Sequence, residues 1–137
     1  MKQILLIVPG LVAGVVGGVL GVFLFAWVWK QGFYALILPG ALAGLACGLC
    51  SPWGDSNLRG ALNGVIALFS GLVAEWRAYP FIADESFAYF LQHATKLRTL
   101  TLILLGIGTF IGFWWGRERI GPKRRRPEPV SAKPPHE

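Results

Sequence analysis

The sequence predicts an all-α integral membrane protein: a bundle of four transmembrane helices, an outer interfacial amphipathic helix and a disordered basic C-terminal tail. Three observations support this class. Of the 137 residues, 54% are hydrophobic and only 15% are charged, whereas about a quarter of an average soluble domain is charged. The charges cluster at the ends of apolar runs, in one long connection and in the tail, because charge in hydrocarbon is costly. Each apolar run also carries glycine at four-residue spacing.

Four apolar runs approach or exceed the length of about 20 residues that a membrane-crossing helix needs. We place the spans at about 4–29, 33–50, 58–76 and 98–115. The connections Lys30–Gly32 and Ser51–Asn57 are short and rich in turn-forming residues, so they predict antiparallel neighbours. The spans form one transmembrane domain over residues 1–116, and the proline-rich tail follows at 117–137.

The positions of lysine and arginine predict the orientation of the chain in the membrane. If both termini lie on one side, nine of the 13 basic residues lie there and four lie on the other side. This places both termini in the cytoplasm and the protein in the cell (inner) membrane. The basic residues that we expect to set topology and bind lipid headgroups are Arg117, Arg119, Lys123, Arg124, Arg125 and Arg126. The lipid bilayer is therefore the expected partner, and nucleic acid is not favoured.

Small residues predict where the helices touch. Lipid tails are as apolar as leucine, so helices associate in a membrane where small side chains allow close approach. Glycines three or four residues apart fall on one face of a helix. The glycines predicted to form packing faces are Gly10, Gly14, Gly17, Gly21, Gly40, Gly44, Gly48, Gly60, Gly64, Gly71, Gly108, Gly112 and Gly116. The pattern leaves open whether these faces meet within one chain, in a homo-oligomer or against another membrane protein.

The long connection before the fourth span has mixed polarity. Asp84 is placed to cap a helix, and the apolar residues that would share one face of it are Phe87, Phe90, Leu91, Ala94 and Leu97. We interpret this helix as a surface connector lying in the outer headgroup layer. A recognition surface or a lid is the alternative, and its candidate residues are Glu75, Arg77, Asp84 and His93. Pairing between Glu75 and Arg77 is favoured over ligand binding.

Side chains with catalytic chemistry are sparse. Cys47 and Cys50 have dithiol spacing, but they lie at the far end of an apolar helix, where the helix dipole disfavours a thiolate. We interpret them as packing residues, with a redox pair as the weaker alternative. Asn63 is the strong polar group inside the spans, and such a residue usually bridges helices. Pro39 lies in the second span and predicts a lost hydrogen bond and a kink there. We therefore expect no enzyme activity, no cofactor and no metal.

Two segments carry a resemblance to other proteins. The first is Gln31–Gly40 with its continuation to Gly48, and the second combines Glu75–Arg77 and Tyr89–Leu91 with Pro80, Phe81, Asp84 and His93. They resemble an uncharacterised group of small bacterial membrane proteins with four spans, over most of the chain except the tail. The resemblance implies a bacterial membrane location, and it transfers no functional residue because the group has no established activity.

Two functions follow from this reading. The favoured one is a non-enzymatic structural, assembly or accessory subunit that acts through helix packing. The alternative is a component of an oligomeric channel or transporter for small solutes. A coupled transporter usually carries an ionisable residue within the membrane, and no such residue stands out in the middle of the predicted spans.

Overall fold

The computed structural model describes residues 2–51, 56–79 and 85–118, and the chain in these ranges is helical without strands. The elements are α1 (Lys2–Lys30), α2 (Ile37–Leu49), α3 (Asn57–Ala78), α4 (Phe87–Gln92), a 3₁₀ turn (Ala94–Lys96) and α5 (Thr99–Arg117). The predicted all-α class is confirmed. Three of these helices, α1, α3 and α5, are long and apolar enough to cross a membrane, and α2 is a shorter apolar helix. The predicted tail after Glu118 lies outside the described residues.

The second helix is shorter than the predicted span 33–50. Gly32 takes a positive φ of 86° after α1 ends, and α2 begins only at Ile37 and has 13 residues. At 1.5 Å per residue it is about 20 Å long, less than the roughly 30 Å of bilayer hydrocarbon. Pro39 consequently lies in the first turn of α2, where no backbone N–H has a partner within the helix. The predicted loss of a hydrogen bond, and with it the reason for a kink, was wrong.

Close glycine contacts define how α1 and α2 run. Gly21, towards the end of α1, lies against Pro39 at the start of α2. Gly10, towards the start of α1, lies against Cys47 near the end of α2. The two helices therefore form an antiparallel hairpin, with the Gly32 turn between them.

The other two long helices continue the alternation. Gly40 of α2 lies against Gly108 of α5, and both helices run in the same direction, because the next glycine pair, at 44 and 112, is also in contact. Gly60 at the start of α3 lies against Arg117 at the end of α5, so these two helices are antiparallel. The start of α1 and the end of α5 thus share one end of the bundle. We call it the termini end, and the opposite end the distal end.

The distal end holds the hydrophobic core of the described chain. The buried residues that cluster there are Phe25, Leu36, Leu72, Ala74, Phe90 and Leu105. Along the rest of the bundle, large apolar side chains face outward, including Val12 and Phe23 of α1 and Phe110 of α5, at 57%, 66% and 61% exposure. An apolar exterior around an interior packed through glycine is what lipid solvation requires.

The predicted outer amphipathic helix is wrong in its length, and its main apolar residue packs inside. α4 ends at Gln92, and it is capped by the hydroxyl of Ser86, which accepts from the Tyr89 N–H. Asp84, the predicted cap, lies outside the described residues. Phe90 is fully buried in the distal core, whereas Leu91, placed on the same face by sequence, is 43% exposed. Adjacent residues of an α-helix are about 100° apart around its axis, so the side of α4 that buries Phe90 leaves Leu91 turned towards the exterior.

Candidate functional site

Glu75 is buried at the distal end, only 5% exposed. It lies three residues before the end of α3, on the side of the helix that also buries Gly71 and Ala74. Helical periodicity carries the residue four positions after Gly71 to the same side. From sequence, Glu75 was a candidate for an outer recognition surface, and its pairing with Arg77 was favoured. The spacing from Gly71 is the signal that predicts its burial.

Two hydroxyl groups from distant parts of the chain meet the Glu75 carboxylate. The Tyr34 hydroxyl, in the connection between α1 and α2, donates to Oε2 at 2.6 Å. The Thr101 hydroxyl, in the first turn of α5, donates to Oε1 at 3.3 Å. The two hydroxyl oxygens are 3.0 Å apart. We call these three residues the Glu75 cluster. Tyr34 and Thr101 were not predicted as partners of Glu75, because 41 and 26 positions of the chain separate them from it.

Aromatic rings surround the Glu75 cluster. Phe25 packs edge-on against Tyr34 with ring centroids 5.9 Å apart. The ring centroids of Tyr79 and Tyr34 are 6.3 Å apart. The indole N–H of Trp29 donates to the Tyr79 hydroxyl at 3.0 Å. Burial, followed by the hydrogen bond to Glu75, raises the pKa of the Tyr34 phenol above its ordinary value of 10.0. The Tyr34 phenol is therefore harder to deprotonate than a free tyrosine.

The predicted recognition residues do not gather into one site in the described chain. Arg77 is exposed, and among the described residues no ion pair joins it to Glu75. His93 is half-buried, and its ring stacks on that of Tyr89 with the ring centroids 4.1 Å apart. Asp84 lies outside the described residues. Of this set, Glu75 alone takes part in the cluster.

The termini end is closed by a second buried charge. Arg59, 2% exposed, donates from Nε to the Gly116 carbonyl at 2.8 Å and from Nη2 to the Arg117 carbonyl at 2.7 Å. The last carbonyls of a helix have no partner within it, and positive charge is favourable there. Arg59 therefore caps α5 from α3, and it is one of the nine basic residues counted above on the side of the termini.

Asn63 joins the same two helices one turn deeper. Its Nδ2 donates to the Gly112 carbonyl at 2.7 Å, as expected of a polar residue between membrane helices. Its Oδ1 is buried without a conventional hydrogen-bond partner and lies directly against Gly14.

The glycines of the predicted packing faces, from Gly10 to Gly116, are all buried. A Cβ atom added to Gly21 would lie 2.5 Å from the Pro39 Cα atom, and one added to Gly112 would lie 2.5 Å from the Ala67 Cβ atom. These contacts lie within one chain. Gly106, outside the predicted set, is exposed and has open space around it.

The remaining predicted residues are placed as follows. Cys47 is buried and Cys50 exposed, and both are free thiols. Among the described residues, no group of three or more His, Cys, Asp and Glu side chains is arranged to hold a metal ion. Arg117 stacks its guanidinium on Trp114 at 5.4 Å. The other tail residues, Arg119, Lys123, Arg124, Arg125 and Arg126, lie outside the described residues.

Comparison of the chain with known protein families, with curated proteins and with solved structures finds no match.

Proposed function

We propose that the protein is a multi-pass membrane protein with four crossing segments and both termini in the cytoplasm. Three helices have the length and hydropathy for this. The short α2 packs against α1, α3 and α5, so it is shielded on several sides, and local thinning of the bilayer accommodates a short span. The even number of crossings agrees with the shared end of α1 and α5.

The charge count supports the cytoplasmic side for the termini end. Arg59 is buried and engaged with α5, so it no longer counts as a surface charge. Eight basic residues still belong to the termini side against four on the distal side. The orientation is tested with a reporter that is active only in the cytoplasm. Fused after Glu137, this reporter is expected to be active.

We propose further that the protein acts without catalysis, as a structural, assembly or accessory subunit. The observation that carries this proposal is direct contact between helix backbones. Gly40 lies on the backbone of Gly108, and Gly21 lies on the backbone of Pro39. Helices that touch at this level leave no room for a solute to pass between α1, α2 and α5 in a single copy.

A second candidate is a component of an oligomeric channel or transporter for small solutes, and the buried Glu75 favours it. Ionisable residues buried in membrane proteins often mark ion or proton pathways. Glu75 lies at the distal end, away from the closed contacts between α2 and α5.

Reconstitution separates the two functions. Purified full-length protein is crosslinked in mild detergent for mass measurement and is also placed in liposomes loaded with small ions and neutral solutes. The structural role predicts permeability equal to that of protein-free liposomes. Flux that requires the wild-type protein and is lost in Glu75→Gln, but not in Glu85→Gln, would overturn it in favour of the transporter. Glu85 is the matched control because its side chain is exposed.

A further inference from the structure

An apolar cleft lies between α3 and α5 and opens to the exterior of the bundle. It has a volume of about 410 Å³, and its lining includes Gly64 and Val65 of α3 and Gly106 and Phe110 of α5. Val65 and Phe110 are 59% and 61% exposed. A Cβ atom at Gly106 would meet no atom of the described residues within 4 Å, so the missing side chain there leaves space that the chain itself does not fill.

The lining of this cleft suits a hydrocarbon chain. Among the described residues that form it, Thr109 has the one polar side chain, and the others are glycine, alanine, valine, leucine and phenylalanine. The Thr109 hydroxyl donates to the Leu105 carbonyl of its own helix at 2.8 Å. A polar solute would lose its hydrogen bonds to water without replacement here, whereas an acyl chain has none to lose.

A positive charge stands where the cleft approaches the termini end. Phe110, Phe113 and Arg117 follow one another at spacings of three and four residues, which places them on one face of α5. The Cβ atom of Phe113 lies against Gly64, and that of Arg117 lies against Gly60, one turn nearer the start of α3. The contact between α3 and α5 that borders the cleft therefore leads to Arg117.

The Arg117 side chain is arranged to receive an anion. It is half-buried, and its guanidinium lies 5.4 Å from the centroid of the Trp114 ring. Contact with a ring face uses the positive charge but none of the N–H donors. Among the described residues, no carboxylate forms an ion pair with this guanidinium. Its paired N–H donors match the oxygens of a phosphate group.

The distance from Arg117 to the inner end of the cleft matches the depth of one leaflet. Arg117 follows Gly106 by 11 residues, which is about 16 Å along α5 at 1.5 Å per residue. Half of a bilayer hydrocarbon layer of roughly 30 Å is about 15 Å. A lipid whose phosphate lies at Arg117 can therefore extend one acyl chain along the cleft.

We propose that this cleft binds one anionic phospholipid, with an acyl chain between α3 and α5 and the phosphate on Arg117. Charge complementarity selects the headgroup, because a zwitterionic headgroup carries its own positive charge beside the phosphate and gains less from Arg117. The lipid comes from the leaflet on the side of the termini. The site rests on the proposed membrane crossing of α3 and α5, and it does not depend on the role as a subunit.

Native mass spectrometry of the full-length protein in detergent tests the headgroup. The protein is given phosphatidylglycerol or phosphatidylcholine with the same acyl chains. We expect one retained phosphatidylglycerol, bound about tenfold more tightly than phosphatidylcholine, as one hydrogen bond between charged groups allows. Arg117→Gln should bring the affinity for phosphatidylglycerol down to that for phosphatidylcholine. Arg77→Gln, at an exposed position near the distal end, should bind as the wild type does. Equal binding of the two lipids to the wild type would overturn the proposal.

A second variant tests the acyl-chain position. Gly106→Leu fills the cleft from a position where no atom lies within 4 Å of the new Cβ, and it should lose the retained lipid. Ile107→Phe is the control, because it adds bulk to an exposed position of α5 that does not line the cleft, and it should keep the lipid. Circular dichroism checks that both variants stay helical. Lipid retention in Gly106→Leu would reject the site, and a wild-type dimer that Gly106→Leu abolishes would assign the cleft to a second copy instead.

Failure of the site and failure of the membrane crossing give different results. A purified protein that stays dispersed in aqueous buffer without detergent would overturn the crossing, and the site with it. A protein that requires detergent but retains no phosphatidylglycerol would overturn the site alone.

Discussion

The guanidinium of Arg59, in the first turn of α3, caps the far end of α5 through the carbonyl oxygen of Gly116, at 2.8 Å. The same side chain reaches the Arg117 carbonyl, and the backbone N–H of Ser56 donates to that carbonyl as well. The start of α3 thus supplies the donors that the end of α5 lacks.

Replacing Arg59 with alanine should destabilise the bundle strongly. At least two hydrogen bonds from a charged donor are lost, and each contributes about 1.5–3 kcal/mol, so we expect a loss of about 3 kcal/mol or more. Unfolding in mixed micelles with increasing denaturing detergent, followed by circular dichroism, measures this. Arg77→Ala removes an exposed arginine from the same helix and should change stability by less than about 0.5 kcal/mol. Equal stability of the two variants would contradict the capping role.

Replacing Gly40 with alanine should push α2 away from α5. The new Cβ would overlap the carbonyl oxygen of Gly108, a backbone atom that cannot rotate away. Overpacking of this kind costs about 1–3 kcal/mol. Gly106→Ala on α5 is the matched control, since nothing lies within 4 Å of the new Cβ. There the higher helix propensity of alanine should stabilise the protein by up to about 1 kcal/mol. Thermal unfolding in detergent should rank Gly106→Ala above wild type and Gly40→Ala below it.

Replacing Asn63 with alanine should destabilise the protein less than replacing it with aspartate. Asn63→Ala loses one hydrogen bond to Gly112, which is worth about 1 kcal/mol between membrane helices. Asn63→Asp places an acceptor against the Gly112 carbonyl in a fully buried position, so its cost should be larger. Asn57→Asp makes the same change at the exposed first residue of α3, where negative charge is favourable. Unfolding in mixed micelles that shows Asn63→Asp no less stable than Asn63→Ala would count against the bridge.

Phe90 and Leu91 distinguish a packed α4 from a helix lying in the headgroups. Phe90 is fully buried and Leu91 is 43% exposed. Phe90→Ala should release α4, since emptying a buried phenylalanine site costs about 3–5 kcal/mol, and Leu91→Ala should not. Hydrogen exchange detected by mass spectrometry over residues 87–92 measures this release. Similar protection in both variants would favour the surface helix that the sequence predicted.

The helical class was accessible from sequence because helical periodicity depends on local spacing. Glycine at every fourth position marks a face whatever that face touches. The start of α2 was harder to place, because the residues from Phe33 to Leu36 are as apolar as the helix that follows. The turn at Gly32 was predicted and has a positive φ, but the composition of the residues after it does not reveal that the helix begins only at Ile37.

The candidate site was less accessible, because its parts are brought together by the fold. Glu75 appears at the edge of a span next to Arg77, which favours a surface pair. Its actual partners, Tyr34 and Thr101, belong to two other elements. Once α1, α2, α3 and α5 alternate in direction, the connection before α2, the end of α3 and the start of α5 must meet at the distal end. The topology therefore leads to the cluster, although no local motif shows it.

Stability at alkaline pH should depend on Tyr34. Burial and the hydrogen bond to Glu75 raise the pKa of its phenol in the folded state, from an ordinary value of 10.0. In the unfolded chain the phenol ionises near its ordinary value, whereas the folded protein keeps the proton. The contribution of Tyr34 to stability is consequently complete below about pH 10 and falls as the pH rises above it, because the folded state then binds more protons than the unfolded state.

The difference between wild type and Tyr34→Phe isolates this effect from the titration of lysines. Unfolding in mixed micelles is followed from about pH 8 to pH 12, on either side of the ordinary tyrosine pKa of about 10. The wild type should lose stability more steeply above about pH 10 than Tyr34→Phe, and the two curves should run parallel below it. Tyr89→Phe removes a phenol whose ring stacks on His93, whereas the hydrogen bonds of Glu75 go to Tyr34 and Thr101, so this variant should retain the wild-type slope. Parallel curves for wild type and Tyr34→Phe across the whole range would show that Glu75 and burial do not hold the Tyr34 proton.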